Sequence, residues 1–249
     1  MPTALITGSS AGLGRALATA LVARGWDLVL TARGETALAT LSRALTVHSP
    51  GDASVVAVAG DVADAGHRAE LVRQISRVGG LDLLVNNAST LGPTPLRPLA
   101  AWHPDELDDV LRVNLTAPFA LTTALLPALA AAHGTVLSIS SDAAVEHYPG
   151  WGGYGASKAA LDHLTLTLGV ENLDIACYSV DPGDMRTGMQ QAAFPGEDIS
   201  DRRLPEEVLP GLLDLLAVRP ASGRYRVDGR RAVPDRTPGT AGLIAGVPG

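Results

Sequence analysis

The chain contains a single lysine, Lys158, and it follows Tyr154 by four residues in the segment YGASK. All other basic residues are arginines, so this position carries the one compact ammonium group of the chain. Four residues apart on a helix, the two side chains share a face, and a positive charge beside a phenol lowers the tyrosine pKa from about 10. The pair therefore predicts a general acid and base that works near neutral pH. A surface Tyr/Lys pair on a helix has the same spacing and is the alternative.

A glycine-rich segment, TGSSAGLG, follows the first apolar run and precedes a helical pattern. Its G-x-x-x-G-x-G spacing differs from the G-x-G-x-x-G of the standard dinucleotide fingerprint, but the physical roles are shared. Gly8 permits a tight turn, Gly12 lets the backbone approach a pyrophosphate, and Gly14 lets the helix pack close to the strand. The free N–H groups of the helix would bind the anion. The segment predicts a dinucleotide site, and an ordinary strand-to-helix turn is the alternative.

The end of the second apolar run bears on the type of dinucleotide. A carboxylate there would bind a ribose 2′-hydroxyl, but Ala32 occupies the place and Arg33 follows it. A guanidinium suits a 2′-phosphate. We therefore expect NADP(H) rather than NAD(H), although Glu35, two residues further on, keeps NAD(H) possible.

Short apolar runs that alternate with helical patterns predict the elements that position these residues. The expected strands are Thr3–Thr7, Asp27–Ala32, Ser54–Ala59, Leu81–Val85, Thr135–Ile139 and Asp174–Val180. The two longest helical patterns are Asp105–Ala132, which Pro118 should bend or interrupt, and Gly152–Gly169. Such alternation predicts an α/β fold, a single doubly wound Rossmann-type domain whose parallel sheet has helices on both faces. Ligands should bind beyond the carboxyl ends of the strands.

Composition argues against several classes of function. The net charge is −7 and no dense basic run is present, so a nucleic-acid partner is not expected. A single cysteine, Cys177, excludes an internal disulfide and suits a reducing compartment. No signal peptide and no charge-free apolar stretch of about 18 residues is apparent. No His, Cys and acidic cluster has metal-ligand spacing. We expect a cytoplasmic protein with no metal and no membrane partner.

Together, the glycine-rich loop and the Tyr154/Lys158 pair make the chain resemble the short-chain dehydrogenase/reductase family over about residues 3–230. Asn86-Asn87-Ala88 resembles the family's N-N-A-G motif, except that Ser89 replaces the glycine and puts the fine geometry there in doubt. The segment 222–229 resembles the seventh strand, which implies a seven-stranded sheet. The resemblance implies cofactor contacts from Gly8, Ser10, Gly12, Leu13, Gly14, Arg33, Asp61, Val62, Asn87, Ala88, Tyr154, Lys158, Pro182, Gly183 and Thr187.

The resemblance also implies four catalytic residues: Asn114, Ser141, Tyr154 and Lys158. Tyr154 would exchange a proton with the substrate oxygen, Ser141 would hydrogen-bond that oxygen, and Lys158 would also bind ribose hydroxyls. Asn114 would hold a water that relays protons to Lys158, or else it is a helix-interior asparagine that ties backbone groups. Ser138 and Ser140 are rivals to Ser141, which the spacing of thirteen residues before Tyr154 favours.

The implied activity is that of a carbonyl reductase or alcohol dehydrogenase acting on a small carbonyl or alcohol substrate. Segment 184–204 would form a substrate lid, residues 1–233 the catalytic domain and residues 234–249 a loose tail. Trp102, Tyr148, Trp151 and Phe194 would border the substrate, or else pack the lid or a subunit contact. The resemblance implies a homodimer or homotetramer. A catalytically silent cofactor-sensing or scaffold protein is the main alternative function. A sugar-nucleotide epimerase or dehydratase is a third, disfavoured by the short chain after Thr187.

Overall fold

The fold is a single eight-stranded sheet covered by helices, seen in a computed structural model that describes residues 1–49, 53–229 and 231–235. The strands are β1 (Thr3–Thr7), β2 (Asp27–Ala32), β3 (Val55–Ala59), β4 (Leu83–Asn86), β5 (Thr135–Ile139), β6 (Ala176–Asp181), β7 (Gly223–Asp228) and β8 (Arg231–Pro234). Their order is β3-β2-β1-β4-β5-β6-β7-β8, and β1 to β7 are all parallel. The chain winds outward in both directions from β1 and β4, so the predicted doubly wound Rossmann-type fold is confirmed.

The helices form two layers, one on each face of this sheet. They are α1 (Gly12–Val22), α2 (Glu35–His48), α3 (Ala65–Val78), α4 (Pro104–Leu111), α5 (Ala117–Ala131), α6 (Gly152–Glu171), α7 (Gly188–Ala193) and α8 (Pro205–Val218). One core cluster joins α1, α2 and α8 to the sheet through residues such as Leu17, Leu38 and Leu212. The other joins α3 and α5 through Leu71 and Leu125. Each fully buried leucine contributes about 1.5–3 kcal/mol relative to exposure, so both layers hold the sheet rigidly beneath its loops.

The seven predicted parallel strands are all present, and the sheet has an eighth strand that was not predicted. Strand β8 pairs antiparallel with β7, with Asp228 opposite Arg231. The connection between them contains Gly229, whose φ of 58° lies in the left-handed region that a tight hairpin turn requires. An Asp-Gly pair after an alternating strand is a hairpin signal, and at Asp228-Gly229 it was present in the sequence.

The long helical pattern before β5 is interrupted, as Pro118 predicted. Helix α4 ends at Leu111, a π-helical turn spans Arg112–Thr116, and α5 follows. Proline has no N–H and cannot donate the bond that the Asn114 carbonyl would accept in a regular α-helix. The run Pro104–Ala131 is also long and apolar enough to cross a membrane by composition alone. Within this run, α5 contributes three leucines to the core: Leu121, Leu125 and Leu129. Packing within the fold therefore accounts for apolar residues of this run.

Two further expectations concern segment ends. The helix that carries Tyr154 extends beyond its predicted end at Gly169, because α6 continues to Glu171 and spans 20 residues. The Asn172 backbone N–H caps it on the Leu168 carbonyl. The first two residues of the expected loose tail are held by the sheet, since Pro234 belongs to β8 and the Asp235 backbone N–H donates to the Arg224 carbonyl. Residues 236–249 lie outside the described part of the chain.

Candidate active site

A cavity of about 840 Å³ lies at the carboxyl ends of the parallel strands. Its volume is in the range of small-molecule and cofactor sites. The loops after β1 to β6 all contribute to its wall, as the strand–helix alternation predicted. The predicted residues that line it are Gly8, Ser10, Gly12, Leu13, Arg33, Asp61, Val62, Asn87, Ala88, Ser141, Tyr154, Lys158, Pro182, Gly183 and Thr187.

The glycine-rich loop between β1 and α1 has no room for side chains at two of its glycines. Gly8 has φ 64°, and a Cβ there would lie 2.9 Å from the Ala88 Cα atom. A Cβ on Gly14 would lie 2.5 Å from the Gly8 carbonyl oxygen. Gly14 does not line the cavity. Because it has no side chain, the first turn of α1 can pack closely against the Gly8 carbonyl of the loop. Gly12 has φ 52° and faces Thr187 across the cavity, which leaves its backbone open to a ligand.

Asn87 braces this loop from the end of β4. Its amide nitrogen donates to the Thr7 carbonyl at 2.9 Å and to the Gly8 carbonyl at 3.1 Å. The backbone N–H groups of Asn87 and Ala88 both donate to the Thr7 hydroxyl at 3.0 Å. The amide therefore has a structural task in addition to any contact with a ligand, and it fixes the two innermost loops to each other.

A cationic side chain lies in the cavity wall directly after the end of β2. Arg33 is exposed, lines the cavity, and has no hydrogen bond or ion pair among the described residues. Glu35 begins α2 and does not line the cavity. The residue that kept NAD(H) possible is therefore not part of the cavity wall, whereas Arg33 is.

The opposite wall is formed by the segment after β6. Gly183 has φ 72°, and its N–H donates to the Asp181 carboxylate at 2.8 Å. Thr187 caps α7 by accepting from the Gln190 backbone N–H at 3.2 Å. A Cβ built on Gly12 would lie 3.4 Å from the Thr187 methyl group, so this segment closes over the glycine-rich loop.

Tyr154 and Lys158 lie together on α6, as their spacing predicted, and both are buried in the cavity wall. The Lys158 ammonium lies 5.5 Å from the centre of the Tyr154 ring and donates to the Ile139 carbonyl at 2.8 Å. The ammonium therefore reaches the ring while being held by the end of β5, which fixes a long, flexible side chain in one position.

The predicted lowering of the tyrosine pKa by the ammonium is wrong for this structure. Burial raises the pKa of the Tyr154 phenol above its usual range, and hydrogen bonding with Ser141 and with Ser89 opposes that rise. Burial also lowers the pKa of Lys158 to about 8, while the carboxylate of Asp162 opposes that change. The physical reason is desolvation, because two groups removed from water both shift toward their neutral forms.

Of the three candidate serines, Ser141 has the geometry that the role requires. It lines the cavity and hydrogen-bonds with the Tyr154 phenol. Its hydroxyl also donates to the Asp142 carboxylate at 3.0 Å. Ser138 bonds the Thr165 hydroxyl and does not line the cavity. Ser140 lines the cavity, with its hydroxyl buried and unpaired among the described residues, whereas Ser141 is the one of the three serines whose hydrogen bond lowers the pKa of Tyr154.

The side chain of Asn114 is fully occupied by the protein. Its amide nitrogen donates to the Thr90 carbonyl at 2.8 Å and the Ser157 hydroxyl at 2.9 Å. Its oxygen accepts from the Thr90 N–H at 2.8 Å and the Ser89 hydroxyl at 3.2 Å. Asn114 is completely buried and does not line the cavity. The amide ties backbone and hydroxyl groups, as the alternative interpretation held, so it would have to give up a bond to hold a water.

Ser89, noted in the sequence only as a departure from N-N-A-G, adds a hydroxyl to the active site. It lines the cavity beside Tyr154, and hydrogen bonding between them lowers the phenol pKa. Its second partner is Asn114. The hydroxyl therefore connects the candidate proton donor to the π-helical turn.

A buried ion pair that the sequence analysis missed supports the catalytic side chains from behind. Arg224 on β7 donates to the Asp162 carboxylate at 2.8 Å and to the Ser141 carbonyl at 2.8 Å. Asp162 lies one helical turn after Lys158 and also accepts from the Ser179 hydroxyl. The side chains of Arg224 and Asp162 are only 5% and 9% exposed. This network fixes Ser141 and places a negative charge near Lys158.

The outer part of the cavity is bordered by aromatic side chains, although not by all four that were expected. The ring of Trp151 lies 5.7 Å from that of Tyr154 and 6.1 Å from that of Phe194. Tyr148 lines the cavity too. Trp102 does not, since it packs against Gly92 and Gly153, where an added Cβ would overlap its ring.

The segment expected to be a lid has both of its ends fixed to each other. Met185 pairs with Arg203 in a β-bridge, and the Arg186 N–H donates to the Arg203 carbonyl at 2.8 Å. Between these ends, α7 and Phe194 cover the cavity. The segment is thus a closed loop that covers the cavity opposite Tyr154.

Comparison with known proteins decides the family. The model of the short chain dehydrogenase family matches residues 2–198 of this chain. The chain belongs to the short-chain dehydrogenase/reductase family. Sepiapterin reductase of Meriones unguiculatus is 39% identical over 199 residues, which cover 76% of each chain. The 2-(R)-hydroxypropyl-CoM dehydrogenase of Xanthobacter autotrophicus is 32% identical over 212 residues, 82% of this chain and 84% of that one.

Solved structures agree with the assignment to the short-chain dehydrogenase/reductase family. The alcohol dehydrogenase of Thermococcus sibiricus, complexed with 5-hydroxy-NADP, superposes with a TM-score of 0.82 and 27% identity. The match covers 95% of this chain and all of that one. The chain is therefore an oxidoreductase-family protein with a Rossmann-type fold.

Proposed function

We propose that the protein is an NADP(H)-dependent oxidoreductase, a carbonyl reductase or alcohol dehydrogenase, which uses Tyr154 as its general acid and base. The observation that carries this proposal is the continuity of the cavity. One space is lined by the glycine-rich loop at one end and by Ser141, Tyr154 and Lys158 at the other. A dinucleotide bound at the glycine-rich loop would therefore extend through this single cavity as far as Tyr154, the candidate proton donor.

The nicotinamide, when bound, supplies or accepts the hydride. In the reduction direction, the Tyr154 phenol donates its proton to the carbonyl oxygen as the carbon is reduced. In the oxidation direction, the phenolate takes the hydroxyl proton back. Ser141 stabilises the charge that develops on the oxygen. Because burial raises the pKa of the phenol, Tyr154 is a stable proton donor, and its use as a base depends on the groups that oppose that rise.

Two further residues, Lys158 and Asn114, have supporting roles near Tyr154. With a pKa of about 8, the Lys158 amine is mostly protonated at neutral pH and has protons left to donate to ribose hydroxyls. The π-helical turn at Asn114 holds Ser89, Thr90 and Ser157 in place. Because the side-chain amide of Asn114 is fully hydrogen-bonded to protein groups, a water that relays protons to Lys158 would have to bind other groups near Asn114.

The preference for NADP(H) rests on the free guanidinium of Arg33 and on the 5-hydroxy-NADP carried by the Thermococcus relative. The fit of the group is supported by the glycine-rich loop, because Gly8, Ser10, Gly12 and Leu13 line the cavity at the N-terminus of α1, where backbone N–H groups can bind a pyrophosphate.

Replacing Arg33 by Asp should reverse the cofactor preference. The guanidinium that would pair with the 2′-phosphate is lost, and a carboxylate that binds ribose hydroxyls takes its place. Charge-assisted hydrogen bonds are worth about 1.5–3 kcal/mol, so NADPH affinity should fall by about 10- to 100-fold. Fluorescence titration with NADPH and NADH measures both affinities. Arg43→Asp is the matched control, since Arg43 is exposed on α2 away from the cavity. Equal losses in the two variants would contradict the assignment.

Replacing Ser89 by Gly should move the pH dependence of alcohol oxidation to higher pH. The Ser89 hydroxyl lowers the Tyr154 pKa, so its removal raises that pKa, and the phenolate base then forms only at higher pH. The acid limb of the pH profile of kcat/KM should shift upward, while activity at the optimum is largely kept. Ser76 is unsuitable as a control position, because it lies inside α3 and a glycine there would destabilise the helix. Ser200→Gly, in an exposed loop, should leave the profile unchanged. An unchanged profile in Ser89→Gly would mean that the hydroxyl does not tune the phenol.

The proposal as a whole is tested by following the absorbance of NADPH with a panel of aliphatic, alicyclic and aromatic aldehydes and ketones. NADPH consumption that depends on the carbonyl compound supports it. NADPH binding without consumption, on this panel and with the matching alcohols and NADP⁺, would favour the catalytically silent scaffold instead. A sugar-nucleotide epimerase or dehydratase would convert a sugar nucleotide with no net consumption of cofactor.

We also propose that the protein is a cytoplasmic homodimer or homotetramer without nucleic-acid or membrane partners. The net charge of −7 supports the absence of a nucleic-acid partner. The outer face of α5 offers Phe119, which is 44% exposed, to a subunit contact. Sedimentation velocity would give the number of subunits.

A further inference from the structure

Helix α7 places one amide in the cavity wall without a partner. Gln190 is only 9% exposed and lines the cavity. Its amide nitrogen is buried and has no hydrogen bond among the described residues. An unsatisfied buried donor costs about 1–3 kcal/mol. A rotation of the terminal amide toward the cavity would be favoured by any acceptor that a ligand brings there.

The next residue shows what a structural glutamine does in this segment. The Gln191 amide nitrogen donates to the Phe194 carbonyl at 2.8 Å and to the Glu197 carbonyl at 3.1 Å. Gln191 is exposed and fixes the turn after α7. Gln190 has no such task, although it is one position away and far better shielded from water.

The position of Gln190 along α7 assigns it to the substrate half of the cavity. Ala193 follows it by three residues, so the two share one face of the helix, and Phe194 comes directly after the end of α7. Ala193 belongs to a buried cluster with Tyr154, and Phe194 and Trp151 pack against that cluster. The face that carries Gln190 is thus the one directed at the proton donor. The Gln190 amide is thus a polar group beside mostly apolar side chains.

The charges around the cavity restrict what this amide can bind. Asp142 and Asp184 both line the same space. Two carboxylates in the wall of the same cavity disfavour an anionic substrate, whereas an uncharged oxygen meets no repulsion there. The amide can donate to a carbonyl or hydroxyl oxygen, or accept from the hydroxyl after a flip of its terminal group.

We propose that Gln190 is a specificity-determining residue that binds a second, uncharged oxygen of the substrate, so that the preferred substrates are hydroxyketones or diketones with an apolar body. This inference rests on the proposed function, because it concerns the substrate of the same site. The apolar body would lie against Trp151 and Phe194, and the second oxygen would satisfy the Gln190 amide.

The test compares three compounds that share one skeleton. Phenylacetone, the corresponding hydroxymethyl ketone and phenylpyruvate differ only in the group beside the carbonyl: a methyl, a neutral hydroxyl-bearing carbon and a carboxylate. If the panel identifies a better skeleton, the series is built on that ketone. The wild-type protein should prefer the hydroxyketone over the parent ketone by about 10- to 100-fold in kcat/KM, because a site built to bond a hydroxyl discriminates strongly against its absence. The keto acid should be the poorest of the three.

Gln190→Met keeps the length of the side chain and removes its polar atoms. The preference for the hydroxyketone should fall by about tenfold or more, corresponding to the loss of one hydrogen bond. Turnover of the parent ketone and the affinity for NADPH should stay within about twofold. Gln191→Met is the control for damage to the lid, and it should keep the wild-type preference.

The possible results separate the two levels of the proposal. If the wild-type protein reduces no carbonyl compound, the proposed function fails and this inference fails with it. If it reduces carbonyl compounds but prefers the parent ketone or the keto acid, only the inference is overturned. The same holds if Gln190→Met leaves the preference unchanged, if Gln191→Met lowers it equally, or if Gln190→Met weakens NADPH binding alone, which would assign the amide to the cofactor.

Discussion

Replacing Tyr154 by Phe should lower kcat/KM for carbonyl reduction by about 10²- to 10⁴-fold, the range that a positioned general acid contributes. The ring of Tyr154 is 7% exposed and packs edge-on against Trp151. Phenylalanine keeps that packing and removes only the hydroxyl. The fold and the cofactor cradle should therefore survive, and the dissociation constant of NADPH should stay within about twofold of the wild-type value.

A second tyrosine provides the control for loss of a buried hydroxyl. The Tyr225 hydroxyl donates to the Ala221 carbonyl at 2.7 Å, away from the cavity. Tyr225→Phe removes it from the core and should leave kcat/KM nearly unchanged. Substantial turnover in Tyr154→Phe, measured by steady-state kinetics with NADPH binding intact, would show that another group supplies the proton. Ser141 would then be the next candidate, since its hydroxyl lies beside the phenol.

Replacing Arg224 by Met should lower the free energy of unfolding by about 3–5 kcal/mol, as expected when one partner of a buried ion pair is removed. The Asp162 carboxylate would be left in the interior with only the Ser179 hydroxyl as a strong donor. Urea denaturation followed by circular dichroism measures the change. Activity of the folded fraction should also fall, because the Ser141 carbonyl loses its bond from Arg224.

Two further variants separate the ion pair from general damage to β7. Arg224→Met combined with Asp162→Asn removes the uncompensated buried charge and should recover much of the lost stability, which a double-mutant cycle quantifies. The second carboxylate that pairs with Arg224, that of Asp235, stays charged but is partly exposed to water. Arg226→Met changes an exposed arginine of the same strand and should alter stability by no more than about 0.5 kcal/mol. Equal destabilisation by Arg224→Met and Arg226→Met would contradict the role assigned to the ion pair.

Elements with a strong local pattern were predictable from the sequence. The helix that carries Tyr154 and Lys158, the glycine-rich loop and the six apolar strands depend on spacing within one segment. The interruption before α5 was predictable for the same reason, since Pro118 removes a specific backbone bond. The eighth strand was not predicted, although a glycine, Gly229, marks the turn before it.

The contacts that complete the site were not predictable in the same way. Arg224 lies 62 residues from Asp162 and 83 residues from Ser141 along the chain, so no local pattern connects them. Trp102 was expected at the substrate, but its partly buried ring packs instead against glycines at 92 and 153. Ser89 could be seen as a departure from a motif, whereas its contacts with Tyr154 and Asn114 required the packed structure.

By itself, the sequence determined which chemical groups this protein carries, their order, and the helix and loops on which they lie, because those properties follow from residue type and short-range periodicity. Only the tertiary structure decided how those groups behave. The direction of the Tyr154 pKa shift is the clearest case: the neighbouring ammonium alone predicts a fall, and burial produces a rise. Desolvation is set by everything packed around a side chain, and that packing is a property of the whole fold.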